Sequence, residues 1–272
     1  MSWNTQDKMK ILFFGDIVGS IGRKVIASTL PEWREKFSPD FVLANVENLS
    51  HGRGISTKTL LELDALHIDA YTSGNHVWEN ASGLSCFSDP RWSKRLIRPA
   101  NIRPGNAGNG YMILEKNNSK ILVINLLGNL LMKDAGSNPF LEFDKIISTN
   151  ESCRIVIIDF HAETTSEKEA FGLYVDGRAS AVLGTHTHVP TADQKILPAG
   201  CGYVTDIGRN GGHHSVVGFE AQPAIQKFLH ADAKAYDPQK SGLAEANAVL
   251  VTIDPETGQT TAIERLRTIF AV

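Results

Sequence analysis

Short apolar runs alternate along the chain with longer stretches of helical periodicity, the pattern of successive βα units around a buried sheet. Ile11 to Phe14 reads as the first strand. Ile21, Val25, Ile26, Leu30, Trp33 and Phe37 recur at three- and four-residue steps, which predicts a helix over 21–37. Phe41 to Val46 predicts the second strand, Thr57 to Leu66 a helix with Ser56 at its N-cap, and Asp69 to Ser73 a third strand. Pro90, Pro99 and Pro104, with the Gly/Asn-rich stretch 106–110, predict loops and short elements in the middle of the chain. Tyr111 to Glu115 and Ile121 to Leu127, joined across 116–120, read as a β-hairpin. Beyond them come strand Ile155 to Phe160, helix Ser166 to Leu173, strand Ala181 to Gly184, and late strands at Lys195 to Leu197, Tyr203 to Thr205, Ala248 to Ile253 and Thr260 to Ile269. No repeat, linker or composition shift divides the chain. Residues 9–272 are therefore expected to form a single α/β domain, a two-layer β core flanked by helices, and residues 1–8 an extension ahead of the fold.

Composition narrows the class. At 272 residues, 42% hydrophobic and 21% charged, the chain is an ordinary globular protein, large enough to hold a polar site without disulfide staples. A formal net charge of −3 lacks the basic footprint of a duplex-binding protein, so no duplex nucleic-acid partner is expected. The apolar run Ile121 to Met132 is broken by Asn125, Gly128 and Asn129 and falls short of the roughly 20 residues that span a bilayer, so no membrane association is expected. Met1 to Lys10 lacks the apolar core of a signal peptide. Cys86, Cys153 and Cys201 are odd in number and unclustered, which reads as a reduced compartment and a cytoplasmic location.

The chemistry stands at the ends of the strands. The first apolar run ends in Asp16, the second in Glu47-Asn48, the third in Asn75-His76, a later one in His161, and another in His186-Thr187-His188. The carboxyl ends of parallel strands share one edge of a sheet, where such folds place their ligands, so these side chains are expected to converge. His186 and His188 are two apart and in extended backbone would face the same side. Taken singly, each has a plainer role. Asp16 would be a turn or cap residue, Asn48 and Asn75 turn formers, and His161 a hydrogen-bonded interior histidine. Glu47 is harder to place so, because a carboxylate directly after Val42-Leu43-Ala44 needs a partner. The glycines of Gly15-Asp16-Ile17-Val18-Gly19-Ser20-Ile21-Gly22 have the wrong spacing for a dinucleotide fingerprint, and Asp16 would face a pyrophosphate.

Gly74-Asn75-His76 and Gly184-Thr185-His186-Thr187-His188 resemble two signature blocks of the calcineurin-like metallophosphoesterases. Gly15-Asp16-Ile17-Val18-Gly19, Asn45-Val46-Glu47-Asn48, Arg98-Pro99-Ala100-Asn101, the stretch 159–168 and the stretch from Asp176 to Asp193 are similar to the bacterial YmdB-type subfamily, from about Met9 to the C-terminus. That resemblance implies the calcineurin-like fold and hydrolysis of 2′,3′-cyclic nucleotides. It implies that Asp16, Glu47, Asn48 and His188 bind one metal ion, that Glu47, Asn75, His161 and His186 bind the other, and that His76 is the proton donor. The loop Arg209-Asn210-Gly211-Gly212-His213-His214 departs from the subfamily's Met/Thr/Gly/Pro-type turn.

An oxygen and imidazole donor set without thiolate suits iron or manganese, with zinc next. Two divalent or trivalent ions would acidify a bridging water for in-line attack on phosphorus, while His76 protonates the departing ribose oxygen. Other diesters or monoesters, and a slow metal-binding regulator acting through protein partners, stay open as alternatives. A homo-oligomer accords with base rates. Of the other histidines, His51 reads equally as lining the site or as surface loop, and His67 and His230 fall in helical patterns. His213 and His214 sit in the glycine-rich loop, and Arg178 reads equally as a structural ion pair or a phosphate ligand.

Overall fold

The computed structural model describes residues 8–102, 107–116, 119–230 and 237–272. Residues 1–7 of the expected extension, together with Pro104, Asn106 and the hairpin tip at 117–118, lie outside the described residues. Lys8 is ion-paired to Asp254 at 2.7 Å.

The chain opens with β1 (Met9–Phe14), α1 (Gly19–Phe37), β2 (Phe41–Asn45), α2 (Thr57–Asp64) and β3 (Ala70–Thr72), and the three strands pair in parallel. In β1 the side chains alternate between two cores: Ile11 and Phe13 face inward to a second sheet, Leu12 and Phe14 outward to α1. Both faces are covered, which is why the strand reads as a continuous apolar run. The stripe of Ile21, Val25, Ile26, Leu30 and Trp33 seats α1 on the sheet, with Trp33 stacked on Phe14 at 5.4 Å. Each such fully buried side chain contributes about 1.5–3 kcal/mol. Ser56 caps α2 reciprocally with Thr59, its hydroxyl accepting from the Thr59 N–H at 3.3 Å while Thr59 Oγ1 accepts from the Ser56 N–H at 3.0 Å.

A second sheet follows. It contains β4 (Tyr111–Lys116), β5 (Ser119–Leu127), β6 (Ile155–His161), β7 (Ala181–Thr185), β8 (Lys195–Ile196) and β9 (Gly202–Val204), in the order β4-β5-β6-β7-β9-β8. Strands β5, β6, β7 and β9 run parallel, and the hairpin β4–β5 and the short β8 are antiparallel edges. Helices α3 (Pro139–Ser148) and α4 (Thr165–Val175) cover its outer face, where Phe171 of α4 stacks on Phe160 at 4.3 Å.

The chain then passes through β10 (Gly211–Gly212), a separate hairpin of β11 (Ser215–Val216) and β12 (Phe219–Glu220), and α5 (Ala221–Leu229). It returns to the first sheet with β13 (Leu243–Ile253) and β14 (Thr260–Ala271). Strand β13 lies antiparallel on the free side of β1, with Met9 opposite Ile253. Ile11, Phe13, Leu43, Val123, Ile157, Leu183, Val249 and Val251 meet between the sheets, giving a helix–sheet–sheet–helix sandwich. Among the described residues no helix is long and apolar enough to cross a membrane.

The structure adds elements to the pattern expected from the sequence. Helix α3 begins at an Asn138 cap, whose side chain accepts from the Phe140 N–H at 2.9 Å, and Pro139 holds its first position. Helix α5 carries Ala221, Ala224, Ile225, Phe228 and Leu229 at helical spacing, yet of these it buries only Ala224. Strand β13 starts at Leu243 rather than Ala248, because β10 and β14 pair with its Ala/Glu-rich beginning and override weak propensity.

Candidate metal centre

The loops after β1, β2, β3, β6 and β7 open on one side of the sandwich, and the structure brings Asp16, Glu47, Asn48, Asn75, His161, His186 and His188 together there. Two groups share Glu47: Asp16, Glu47 and His188, and Glu47, His161 and His186. In each, one ligand atom per residue lies within 4.8 Å of the others. Glu47 Oε1 is 3.2 Å from His161 Nε2, and Asp16 Oδ1 is 3.9 Å from His188 Nε2. The amide oxygens point the same way, with Asn75 Oδ1 3.1 Å from His161 Nε2 and Asn48 Oδ1 3.3 Å from His188 Nε2. Gly74 makes the cradle. A Cβ there would stand 2.2 Å from Glu47 Oε2 and 2.3 Å from His161 Nε2, so any side chain would fill the space these donors surround.

Each imidazole is oriented by its other nitrogen, which decides the nitrogen left for a ligand. Thr185 donates its hydroxyl to Asp159 at 2.6 Å, so His161 Nδ1–H donates to Thr185 Oγ1 at 2.8 Å and Nε2 faces the cluster. His188 Nδ1–H donates to the Val217 carbonyl at 2.8 Å, again leaving Nε2. His186 Nε2 pairs with Glu163 at 3.2 Å, leaving Nδ1, which is 3.0 Å from His161 Nε2. His186 (φ 94) and His188 (φ 64) both occupy left-handed backbone, a strain that persists where the surroundings hold it. Here the holder is buried Asp206, which accepts from the Thr187 N–H at 3.1 Å and hydroxyl at 2.8 Å and from Lys168 Nζ at 2.9 Å. Lys168 also donates to the Thr185 carbonyl at 2.7 Å.

Electrostatically the cluster calls for positive charge. Asp16 and Glu47 are fully buried, yet Asp16 Oδ1 and Glu47 Oε1 accept no hydrogen bond, an expensive arrangement for anions unless a cation completes it. Burial holds the Asp16 carboxyl above its ordinary range, against the pull of His188 and His161. Burial would also raise Glu47, but the His161 imidazole outweighs it and holds Glu47 well below the carboxylate range. Burial would lower His161, but Glu47, Asp16 and Asp159 raise it to about 9. Burial and the neighbouring His161 push His186 down to about 3, so its lone pair is free at neutral pH. Burial pushes Asp159, beneath the cluster, up to about 6. Two deeply buried carboxylates with donorless oxygens, three oriented imidazoles and two amide oxygens fit hard or borderline metal ions.

His76 stands outside the triads. Its N–H donates to Glu47 Oε2 at 2.9 Å, its Nδ1 is held by Glu79 at 2.5 Å, and its side chain lines a pocket of about 340 Å³ over the cluster. Gly52 and Arg53 line the same pocket, whereas His51 is exposed beside them. His67 and His230 are exposed, and both stand just beyond helices, His67 in the turn after α2 and His230 capping α5. His213 pairs with buried Glu245 at 3.1 Å, and neither it nor His214 lines the pocket. Arg178 pairs with Asp144 at 2.7 Å on the outer helices. Sequence reasoning missed Asp159, Thr185, Glu163, Lys168, Asp206 and Val217. Lys168, on the stripe that Phe171, Gly172 and Val175 bury, and Asp159, a carboxylate inside an apolar run, left a signal, and Glu163 and Thr185 fall in stretches already singled out, whereas Asp206 and Val217 left none.

The family model described as YmdB-like protein matches residues 12–266. The chain is 39% identical over 263 residues to the 2′,3′-cyclic-nucleotide 2′-phosphodiesterase of Bacillus subtilis strain 168, covering 95% of this chain and 96% of that protein. The crystal structure of a novel phosphatase from Mycoplasma pneumoniae superposes with a TM-score of 0.91 at 35% identity, covering 97% of this chain and 94% of that one. A hypothetical protein from Thermus thermophilus superposes with a TM-score of 0.88 at 33% identity, covering 96% of this chain and 99% of that one.

Proposed function

The chain belongs to the YmdB-like protein family, and from that premise we propose that it is a dinuclear metal-dependent phosphodiesterase that opens 2′,3′-cyclic nucleotides to nucleoside monophosphates. The observation that carries this reading is Glu47: a buried carboxylate shared by two donor groups, with one oxygen that no hydrogen bond satisfies. Asp16, Glu47, Asn48 and His188 would hold one ion, and Glu47, Asn75, His161 and His186 the other, with iron or manganese preferred by the donor set and zinc next. When bound, such a pair supplies Lewis-acid polarisation of the phosphoryl oxygens and a water acidified to nucleophilic strength. Asp16 and Glu47 offset two of the four positive charges of two divalent ions, leaving charge for a singly negative cyclic diester. His76, on the pocket wall and held through Nδ1 by Glu79, gives its proton to the departing ribose oxygen. Residues 9–272 act as one unit in this reading, because the donors come from both sheets.

The relative's name places cleavage at the 2′ ester, so the expected product here is the 3′-monophosphate. The test is steady-state hydrolysis of 2′,3′-cyclic AMP with added manganese, with the product isomer identified. His76→Ala should lower kcat by about 10²- to 10⁴-fold with metal content unchanged. A variant that lost its metals would make His76 a ligand. A wild-type protein that binds metal but turns over no cyclic diester would favour the regulatory alternative.

A further inference from the structure

Among the described residues that line the pocket none comes from the loop Arg209-Asn210-Gly211-Gly212-His213-His214, where the sequence departs from the subfamily's turn. The loop is nevertheless bound to the donors. The backbone N–H of Arg209 donates to the His188 carbonyl at 3.3 Å, and its guanidinium Nη1 donates to the same oxygen at 3.1 Å. Its Nε and Nη2 donate to the Gly212 carbonyl at 3.3 and 2.9 Å. Ser215 Oγ donates to that carbonyl as well, at 2.6 Å, and accepts from the Gly218 N–H at 3.0 Å, which ties down the turn of the β11–β12 hairpin. In that turn Val217 supplies the carbonyl to which His188 Nδ1–H donates at 2.8 Å. One guanidinium therefore holds His188 twice, by its backbone directly and by its ring through the hairpin.

Arg209 is itself fixed. Its side chain is 7% exposed and pairs at 3.0 Å with Glu245 of β13, which is 3% exposed. The other Glu245 oxygen accepts from Arg267 of β14 at 2.6 Å and pairs with His213 at 3.1 Å. A planar guanidinium presents its donors in a rigid fork, which lets one side chain meet two carbonyls and a carboxylate at once. The left-handed backbone of His188 (φ 64) needs such a hold, because a strained conformation persists only where its surroundings over-determine it. Asp206 grips the turn at Thr187, and Arg209 grips it at His188.

Resting on the dinuclear reading above, we propose that Arg209 is a positioning residue for His188, and so for the ion that Asp16, Glu47, Asn48 and His188 would hold. Partners behind a ligand set its orientation, and their loss typically weakens metal binding by about 10- to 100-fold. The guanidinium makes no contact with Asn75, His161 or His186, so the effect falls on one of the two ions. In this chain a buried charge cluster thus does beneath the site what the loop's departure from the subfamily's turn would otherwise leave undone.

The experiment titrates the metal-free chain with manganese(II) by calorimetry in wild type, in Arg209→Lys, and in Arg209→Met combined with Glu245→Gln, which removes the anion that Arg209→Met alone would leave underpaired. The double variant is expected to weaken one site about 10- to 100-fold and to keep the other, and Arg209→Lys, whose single ammonium cannot span both carbonyls, to lose less. Nitrogen-15 spectra of the His188 ring in the metal-free chain give a second readout, which a change in stability alone would not move. Wild type should show the Nδ1–H tautomer, and the double variant an average of both. Two wild-type sites in the double variant, equal weakening of both sites, or an unmoved ring spectrum would overturn the proposal. Should the double variant not fold, Arg209→Lys, which keeps a charge beside Glu245, decides by the same readouts. A wild-type chain that binds fewer than two manganese ions would instead defeat the dinuclear reading, and the ring spectrum alone would then decide on Arg209.

Discussion

Glu47 is the residue on which the site turns, because it is the one side chain common to both donor groups. Glu47→Ala removes that carboxylate and leaves His161 without its nearest anion, 3.2 Å away. Elemental analysis should show both ions lost from this variant, and an unchanged metal count would contradict a shared role. At this scale Asp16, Glu47, Asn48, Asn75, His161, His186 and His188 are legible as candidates, since each stands just beyond an apolar run. Their supports are less legible. Asp159 visibly breaks the apolar run of its strand, but its partners Asn45, Thr72 and Thr185 come from three other strands that the sequence does not bring to it. Val217 acts on His188 through a backbone carbonyl, which no side-chain pattern reveals.

Among elements, α4 does more than cover the second sheet: it carries Lys168 beneath the turn that holds His186 and His188 in left-handed backbone. The Lys168–Asp206 pair is almost wholly withdrawn from water, at 1% and 0% exposure. Breaking such a pair from one side leaves an uncompensated buried charge and costs about 3–5 kcal/mol. Lys168→Met is therefore expected to lower unfolding stability in a urea titration by that amount, and a loss below about 1 kcal/mol would show that the turn is held by other means. Helices α1 and α2 are legible because one apolar stripe or one capping residue defines them. The β11–β12 hairpin is not, since it pairs over only two residues a side, whereas α5 shows its apolar spacing at Ala221, Ala224, Ile225, Phe228 and Leu229 but leaves most of that stripe exposed.

For the whole molecule, the decisive feature is that the donors span both sheets. Asp16, Glu47, Asn48 and Asn75 follow strands of the first, and His161, His186 and His188 end or follow strands of the second. Bound ions would therefore clasp the two sheets at one end. A ligand present at a hundred times its Kd stabilises by about 2.7 kcal/mol. Removing metal with a chelator should then lower Tm by roughly 5–10 °C in a calorimetric scan, and an unmoved transition would argue against the clasp. The sandwich was legible from the alternation of runs and helices, but the strand order was not, since nothing local tells β1 that its antiparallel neighbour is β13. That pairing bears on biosynthesis. A nascent chain displays β1 long before the strand that covers its open side, with Ile253 against Met9, has been made. Until then the first sheet has an uncovered apolar border of the kind that recruits foreign strands, so the vulnerable interval lasts through the synthesis of everything between β1 and β13.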